Sequence, residues 1–215
     1  MAGLLILVSA CSTLPSGRGW GEDVSLTNWQ RIKLAAVNAA TDPETWVPLA
    51  GAAVFSIDNW DEKVSEQLSE ETPVFGSNEA AGNASSDLKN ALTVINLSTA
   101  LAAPSGDTAG LWIPSKLKGL AVLAAASGAT GMVTDYTKEA TDRLRPDGSD
   151  RRSFPSGHTS SAYASSTLAS RNINSLELSE PSRRVLHYTF KGMAAATAWA
   201  RVEANRHYPS DVLFA

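Results

Sequence analysis

The sequence predicts an all-α protein built as a compact helical bundle. Three observations support this fold class. Apolar residues recur at helical spacing in most segments of the chain. Capping residues and prolines stand where such segments begin. The sequence also contains no alternating apolar–polar stretch long enough for a strand and no internal repeat.

Three helices are predicted before residue 71. Ser25 can cap the first helix. Its apolar face uses Leu26, Trp29, Ile32, Ala36 and Val37. Asp42-Pro43-Glu44 starts the second helix, because Asp42 is a capping acid and a proline at the first helical position loses no hydrogen bond. The second helix runs to about Phe55, and a third covers residues 60–70.

The segment 73–82 is small and polar, so it is predicted to be a loop. A second loop is predicted over residues 143–154, where proline, glycine and many charged residues occur. The remaining predicted helices cover residues 86–103, 114–138, 158–170 and 181–205, and a last one begins at Pro209. The helix over 86–103 is expected to start at Ser86 with Asp87, and the helix over 114–138 at Pro114 with Ser115.

Residues 117–134 form the most apolar stretch of the chain, but Lys118, Ser127, Thr130 and several glycines dilute it. A helix that spans a bilayer needs roughly 20 predominantly apolar residues. We therefore expect this helix to pack inside a soluble bundle, and a membrane-spanning form is the alternative.

Length and composition favour one domain with a short leader. The chain has 215 residues, of which 43% are hydrophobic and 19% are charged, which suits a globular core. The net charge is −4, and no basic tail or interleaving of basic and aromatic residues occurs. Nucleic acid is therefore excluded as an expected partner.

The single cysteine, Cys11, follows an apolar run at residues 4–8 and the small residues Ser9 and Ala10. This arrangement resembles a bacterial lipoprotein signal, in which cleavage before the cysteine lets the thiol carry a lipid. We therefore expect residues 1–21 to be signal and flexible tether, and residues 22–215 to be the domain. Since residues 1–3 carry no Lys or Arg, the true start can lie upstream of Met1. The alternative is an ordinary thiol near the terminus.

Three short motifs in the last third of the chain carry its chemistry. They are Lys138 with Arg145-Pro146, then Pro155-Ser156-Gly157-His158, and finally Arg201 with His207 and Asp211. Together they supply three cations, two imidazoles, a hydroxyl, a glycine turn and a carboxylate. This set suits a site that binds a phosphate and attacks it with histidine.

The three cations match the charge of a phosphate. The guanidinium groups of Arg145 and Arg201 can pair with phosphate oxygens, and the Lys138 ammonium adds a compact charge. Pro146 biases Arg145 toward an extended backbone, outside the helix that carries Lys138, so both can point to one place. For any one of these cations alone, a solvated surface position is the alternative.

The tetrapeptide at residues 155–158 predicts a turn that leads into a helix. Gly157 permits close approach of the backbone, and the first free N–H groups of a helix bind anions. Ser156 can add a hydroxyl donor, and His158 can protonate the leaving oxygen as a general acid. A simple turn with a helix cap is the alternative interpretation.

His207 and Asp211 are four residues apart, so the carboxylate can lie near one imidazole nitrogen. The other nitrogen is then free to attack phosphorus and form a phosphohistidine. A histidine at a helix end with a surface acid nearby is the alternative, and Pro209 disfavours regular helix between them.

The order and spacing of these residues resemble the type 2 phosphatidic acid phosphatase (PAP2) superfamily, which includes bacterial acid phosphatases and vanadium-dependent haloperoxidases. The resemblance implies that Lys138, Arg145 and Arg201 bind phosphate and that Ser156 and Gly157 form the turn around it. It also implies that His158 is the general acid, that His207 is the nucleophile and that Asp211 orients His207. The family usually has Ser where this chain has Ala200, so weaker phosphate binding is expected.

The resemblance implies a metal-independent phosphatase that hydrolyses phosphate monoesters or lipid pyrophosphates through a phosphohistidine. No cofactor is expected, and vanadate should inhibit. The alternatives are a vanadium-dependent haloperoxidase, with vanadate as cofactor, and a non-catalytic envelope lipoprotein. A metal-dependent hydrolase is disfavoured, because the cluster of Lys and Arg would repel a metal ion.

We expect the protein on the periplasmic side of a bacterial envelope, held by its lipid anchor, with a phosphorylated lipid or small molecule as substrate. The substrate's identity and the oligomeric state stay open. In the family the helix begun near Asp211 continues, so the C-terminal end is expected to be truncated. His187 is expected to be a packing or surface histidine. Three further arginines are candidates for extending the positive field that attracts substrate, although three nearby aspartates largely offset their charge: Arg143, Arg151 and Arg152 against Asp142, Asp147 and Asp150.

Overall fold

Helices make up the regular secondary structure of the residues that the computed structural model describes, which are 11–24, 29–71 and 73–215. The helices, numbered here in chain order, are α1 (Trp29–Thr41), α2 (Pro43–Phe55), α3 (Trp60–Glu66), α4 (Asn78–Ala102), α5 (Ala109–Thr141), α6 (Gly157–Ile173), α7 (Glu180–Glu203) and α8 (Pro209–Leu213). A π-helical segment, Gln67–Glu71, follows α3. The all-α prediction is confirmed. Ser25, Leu26 and the predicted signal at residues 4–10 lie outside the described residues.

Helices α4, α6 and α7 pack against one another and form the core. Their buried apolar side chains are Leu92, Ala162, Ala169, Ile173, Phe190 and Ala194. Half of these residues are alanines, which lets the helix backbones approach closely at those positions. Because α6 and α7 are joined by a short connection and lie side by side, the first turn of α6 and the last turn of α7 meet at one end of the bundle.

Local start signals explain most helix boundaries. Asp42 caps α2 as predicted, since its carboxylate accepts a hydrogen bond from the backbone N–H of Glu44 at 2.9 Å. The prediction of a loop over 73–82 with a helix start at Ser86 is wrong. Helix α4 begins at Asn78, because the Ser77 hydroxyl accepts from the backbone N–H of Ala80 at 3.1 Å. This cap extends α4 by two turns toward the functional end of the bundle.

Helix α5 also begins earlier than predicted, at Ala109 rather than Pro114. The backbone N–H groups of Leu111 and Trp112 both donate to the carbonyl of Thr108, so the first helical turn lies before Pro114. A proline removes a single N–H from the ladder, which a helix of 33 residues tolerates.

The expectation that α5 packs inside the bundle is wrong, because it contacts α6 along one side and is otherwise mostly exposed. Ile113, Leu117, Met132 and Val133 are among its exposed apolar residues. Within the described part of the chain, α5 is the helix whose length and apolar composition would suffice to cross a bilayer.

The segment after Cys11 is held against the corner between α4 and α5. The backbone N–H of Gly106 donates to the carbonyl of Ser12, and the N–H of Trp20 donates to the carbonyl of Pro104 at 2.7 Å. The Trp20 ring lies on Gly119, where an added Cβ would be 2.1 Å from a ring carbon. The predicted flexible tether over Ser12 to Gly21 is therefore fixed to the domain at these points.

Candidate active site

The three motifs converge where α6 begins and α7 ends. Arg145, His158 and Arg201 line a cavity of about 580 Å³ at this end of the bundle. Its opposite wall is the start of α4, with Asn78, Glu79, Gly82, Asn83 and Ser86. The predicted loop that carries Arg145 and the unpredicted first turns of α4 thus form two sides of one site.

His207 is 2% exposed, and the partners of its two ring nitrogens define its tautomer. Nδ1 lies 2.6 Å from the backbone carbonyl of Ser153. Because a carbonyl only accepts hydrogen bonds, Nδ1 carries the proton. Nε2 lies 3.3 Å from Nη1 of Arg145, which donates to its lone pair. The unprotonated nitrogen therefore faces Arg145, which lines the cavity.

The pKa of His207 is lowered to about 4. Burial is the main cause, and the charges of Arg201 and Arg145 lower the pKa further, while Asp211 opposes them. His207 is therefore a neutral imidazole near pH 7, the form that a nucleophile requires.

Asp211 is fully buried and accepts three hydrogen bonds. They come from the Ser153 hydroxyl, from the backbone N–H of Tyr208 at 2.9 Å and from Nη1 of Arg143 at 2.7 Å. Burial raises the pKa of Asp211, but His207, these hydrogen bonds and the Arg143 charge outweigh it and hold the pKa below its usual value. The carboxylate is therefore ionised.

Asp211 is 3.7 Å from Nδ1 of His207, which is longer than a hydrogen bond. The direct partner of Nδ1 is the carbonyl of Ser153, a residue that the motifs did not identify. Asp211 supports His207 by its negative charge and by holding the Ser153 hydroxyl.

Arg201 is buried, and its donors are only partly used. Nη1 lies 3.4 Å from the Ser85 hydroxyl oxygen. Nε is buried, and no acceptor for it occurs among the residues that the structure describes. Burial, followed by the charges of Arg145 and Arg206, lowers the pKa of Arg201 to about 10. A bound anion stabilises a buried guanidinium that carries a charge and has an unpaired N–H.

The orientation of the Arg145 guanidinium is fixed by Asp150 and by a backbone carbonyl. Its Nε donates to the Asp150 carboxylate at 2.7 Å, and Nη1 donates to the carbonyl of Arg206 at 3.1 Å. The Arg145 charge, acting chiefly through this hydrogen bond, lowers the pKa of Asp150. Asp150 and Arg206 therefore fix the guanidinium beside His207.

His158 lies in the first turn of α6, and its Nε2 is 3.3 Å from the Ser86 hydroxyl oxygen. Burial lowers its pKa to about 4, and the charge of Arg201 adds to this effect. The two imidazoles therefore lie close to the same cations.

Ser156, Gly157 and Lys138 lie beneath this site. The Ser156 hydroxyl caps α6 by accepting from the backbone N–H of Thr159 at 3.4 Å and from the Thr159 hydroxyl at 2.9 Å. Nζ of Lys138 donates to the carbonyls of Arg152, at 2.6 Å, and Pro155. Lys138 therefore uses two of its three protons to hold the turn that carries Ser156 and Gly157.

Arg143 does not extend the field for substrate, contrary to expectation. Its Nη2 donates to Asp61 at 2.8 Å and its Nη1 to Asp211 at 2.7 Å. Asp61 also accepts from the backbone N–H of Ser210 at 2.8 Å. No sequence signal identified Asp61, because its role depends on a partner 149 positions away. This network joins α3 to α8 behind His207.

The other two candidate cations are exposed and paired. Arg151 donates to Asp142 at 2.7 Å, and Arg152 donates to Asp135 at 2.9 Å. His187 lies on α7 against the ring of Tyr188, as expected for a packing histidine. Within the described ranges, no three His, Cys, Asp or Glu side chains are grouped as a metal ion would need.

Comparison with known proteins supports the interpretation of the motifs. Residues 119–215 match the family model described as the PAP2 superfamily. This range contains every residue of the three motifs, so the resemblance is confirmed.

Over 83 residues, the chain is 40% identical to Lipid A 1-phosphatase of Porphyromonas gingivalis. The match covers 39% of this chain and 17% of that protein, so this chain corresponds to a small part of the relative's length.

A crystal structure has a similar fold. It is described as the first transmembrane PAP2 type phosphatidylglycerolphosphate phosphatase from Bacillus subtilis. The TM-score is 0.58 at 21% sequence identity, and the match covers 80% of this chain and 86% of the other. At this level of identity, the comparison supports the all-helical architecture.

Proposed function

We propose that this chain, whose residues 119–215 belong to the PAP2 superfamily, is a phosphatase that hydrolyses phosphate esters in the cavity between α4, α6 and α7. One observation carries the proposal. Two guanidinium groups and the imidazole of His158 line this cavity, and His207 lies directly behind Arg145, with Nε2 3.3 Å from Nη1. One buried guanidinium, Arg201, has a donor without an acceptor among the described residues. A phosphate group supplies the missing acceptor and the compensating charge.

The reaction begins with attack of His207 Nε2 on phosphorus. The P–N bond forms as the bond between phosphorus and the leaving oxygen breaks, and His158 gives its proton to that oxygen. Arg145 and Arg201 neutralise the charge on the equatorial oxygens. In the second step a water molecule gives a proton to His158 and attacks phosphorus, which breaks the P–N bond and releases phosphate.

Substrate binding adjusts the protonation of His158. In the free site, burial and the surrounding cations lower the pKa of this imidazole to about 4. A bound phosphate dianion offsets the charges of Arg201 and Arg145, so it raises the pKa of His158 and favours the protonated general acid. The mechanism uses side chains alone for charge compensation, and we therefore propose that it needs no metal and that vanadate inhibits it.

We propose a phosphorylated lipid as the substrate and the bacterial envelope, on its periplasmic side, as the location. Both relatives are named for phosphorylated lipids, and helix α5 presents an exposed apolar face. Cys11 is exposed, so its thiol is available to carry a lipid. The relatives are named as phosphatases, so the haloperoxidase alternative gains no support from them.

The test is phosphate release from a panel of lipid and soluble phosphate esters in the presence of a chelator. We expect turnover to persist with chelator and to fall at least about 10³-fold in His207→Ala, because the nucleophile is lost. His187→Ala removes a histidine outside the site and serves as the control. Loss of activity with chelator would contradict the mechanism, and a fully active His207→Ala would contradict the assignment of the nucleophile.

A further inference from the structure

The cavity between α4, α6 and α7 has a polar wall on its α4 side. Glu79, Asn83 and Ser86 are spaced i, i+4 and i+7 on this helix, so they form one stripe along the cavity. The Glu79 and Asn83 side chains are exposed and have no hydrogen-bond partner among the residues that the structure describes. Of the described residues that line the cavity, Ala204 has the largest apolar side chain. An acyl chain therefore finds no apolar surface here, whereas hydroxyl groups find hydrogen-bond partners.

Two ion pairs neutralise most of the charged side chains around the cavity: Arg145 with Asp150 at 2.7 Å, and Arg206 with Asp147 at 3.0 Å. In the described ranges, the lining residues Arg201 and Glu79 have no ion-pair partner. Arg201 is the cation that the proposed function gives to phosphate. Glu79 is a carboxylate that phosphate binding does not need. It can accept hydrogen bonds from hydroxyl groups, and it disfavours a leaving group that is itself an anion.

The position of His158 indicates that the leaving group lies on the α4 side of the phosphate. In the proposed mechanism this imidazole protonates the leaving oxygen, and Nε2 of the ring is 3.3 Å from the Ser86 hydroxyl oxygen on α4. From residue 86 the stripe continues through residue 83 to residue 79, which is roughly 10 Å along a helix. A group attached to the bound phosphate can therefore lie along the stripe.

We propose that Glu79 and Asn83 determine specificity by binding a neutral, polyhydroxylated leaving group, such as a sugar or a glycerol unit esterified to the phosphate. Hydroxyl groups donate to the Glu79 carboxylate, and the Asn83 amide both donates to and accepts from them. In a phosphorylated lipid, the polar headgroup then occupies this cavity and the acyl chains stay outside it. This inference rests on the proposed phosphatase function, because it concerns the group from which phosphate is removed.

The kinetic test uses two pairs of esters that differ in the hydroxyl groups of the leaving group. One pair is glucose 1-phosphate with cyclohexyl phosphate, and the other is glycerol 3-phosphate with propyl phosphate. Within a pair, the ratio of kcat/KM for the hydroxylated ester to kcat/KM for its partner measures recognition of the hydroxyl groups. We expect this ratio to fall about three- to tenfold in Glu79→Ala and in Asn83→Ala. The pair with the larger fall identifies a sugar or a glycerol unit.

Two further residues of α4 provide matched controls. Asp87 and Asn90 are an acid and an asparagine that are exposed on the same helix and do not line the cavity. Asp87→Ala and Asn90→Ala should change the ratio by less than about twofold. An unchanged ratio in both Glu79→Ala and Asn83→Ala would overturn the proposal, and so would an equal change in the controls.

Equilibrium binding to His207→Ala gives the same comparison without turnover. We expect glucose 1-phosphate or glycerol 3-phosphate to bind at least about threefold more tightly than its partner, and Asn83→Ala to remove this difference. Equal binding within both pairs would refute the inference. Failure of the proposed function would appear differently, as no phosphate release by the wild type from any of the four esters while the preference in binding is still observed.

Discussion

At the scale of single residues, Arg201 is a buried cation whose surroundings fit the proposed binding of an anion. Its side chain is buried near two other arginines, Arg145 and Arg206, which lower its pKa, and its Nε has no acceptor in the described part of the chain. Buried polar groups are usually paired, and unpaired ones concentrate where a ligand binds. The charge of Arg201 is therefore more useful to the bound state than to the free fold.

Replacing Arg201 by Ala should separate activity from stability. We expect kcat/KM to fall at least about 10²-fold, because a bidentate donor to phosphate is lost. We expect the melting temperature to stay level or rise, since an uncompensated buried cation is removed. Arg151→Ala, which removes an exposed paired cation, is the control. A clearly lower melting temperature with activity retained would show that Arg201 is structural.

At the scale of elements, the short helices α3 and α8 matter because they hold the far side of His207. Asp61 on α3 accepts from the backbone N–H and the hydroxyl of Ser210 on α8 and from Arg143. Arg143 in turn donates to Asp211 and lies over the ring of Tyr208, 4.2 Å from its centre. An element from the N-terminal half therefore determines where the last motif sits.

Asp61→Ala should destabilise the fold by about 2–4 kcal/mol, because it leaves a buried N–H at Ser210 unpaired and weakens a buried charge network. Chemical denaturation measures this change. Asp135→Ala is the matched control, since Asp135 is an exposed helical residue that pairs with Arg152 at 2.9 Å, and it should change stability by less than about 0.5 kcal/mol. Equal effects of the two substitutions would disprove the role of the network.

At the scale of the whole molecule, α5 separates the Cys11 end from the active site. Nζ of Lys116 donates to carbonyls at the end of α4 beside Trp20, whereas Nζ of Lys138 holds the turn that carries Ser156 and Gly157. Lys116 and Lys138 are 22 positions apart, which corresponds to roughly 33 Å along a helix. This distance is similar to the thickness of the hydrocarbon core, about 30 Å. The proposed anchor at Cys11 and the exposed apolar face of α5 would thus be two separate contacts with a membrane.

Fractionation distinguishes these contacts. We expect Cys11→Ser to abolish incorporation of a labelled fatty acid, because the thiol is lost, and Ser12→Ala to leave it intact. We expect Cys11→Ser to remain partly in the membrane fraction, and adding Leu117→Asp with Val133→Asp to release it, since charged groups disfavour burial in lipid. Absence of label in the wild type would refute the anchor, and retention of the triple variant would refute the α5 contact.

Much of the fold was predictable because its signals are local. Asp42 with Pro43 marked the start of α2, and helices were predicted at residues 158–170 and 181–205, where α6 and α7 occur. The start of α4 was missed because the segment before Ser86 is polar, a composition that is typical of loops. The Ser77 cap and the burial of Ala81 make this segment helical. The exposure of α5 was missed because composition does not reveal which neighbours a helix has.

The sequence by itself determined the inventory of the site, its cations, imidazoles and carboxylate, because residue type and spacing express that chemistry directly. Only the tertiary structure decided which nitrogen of His207 carries a proton, and that Nε of Arg201 lacks an acceptor among the described residues. The first property depends on the carbonyl of Ser153, and the second depends on the burial of Arg201 beside Ser85. Hydrogen-bond direction is set by contacts in space, and spacing along the chain does not encode it.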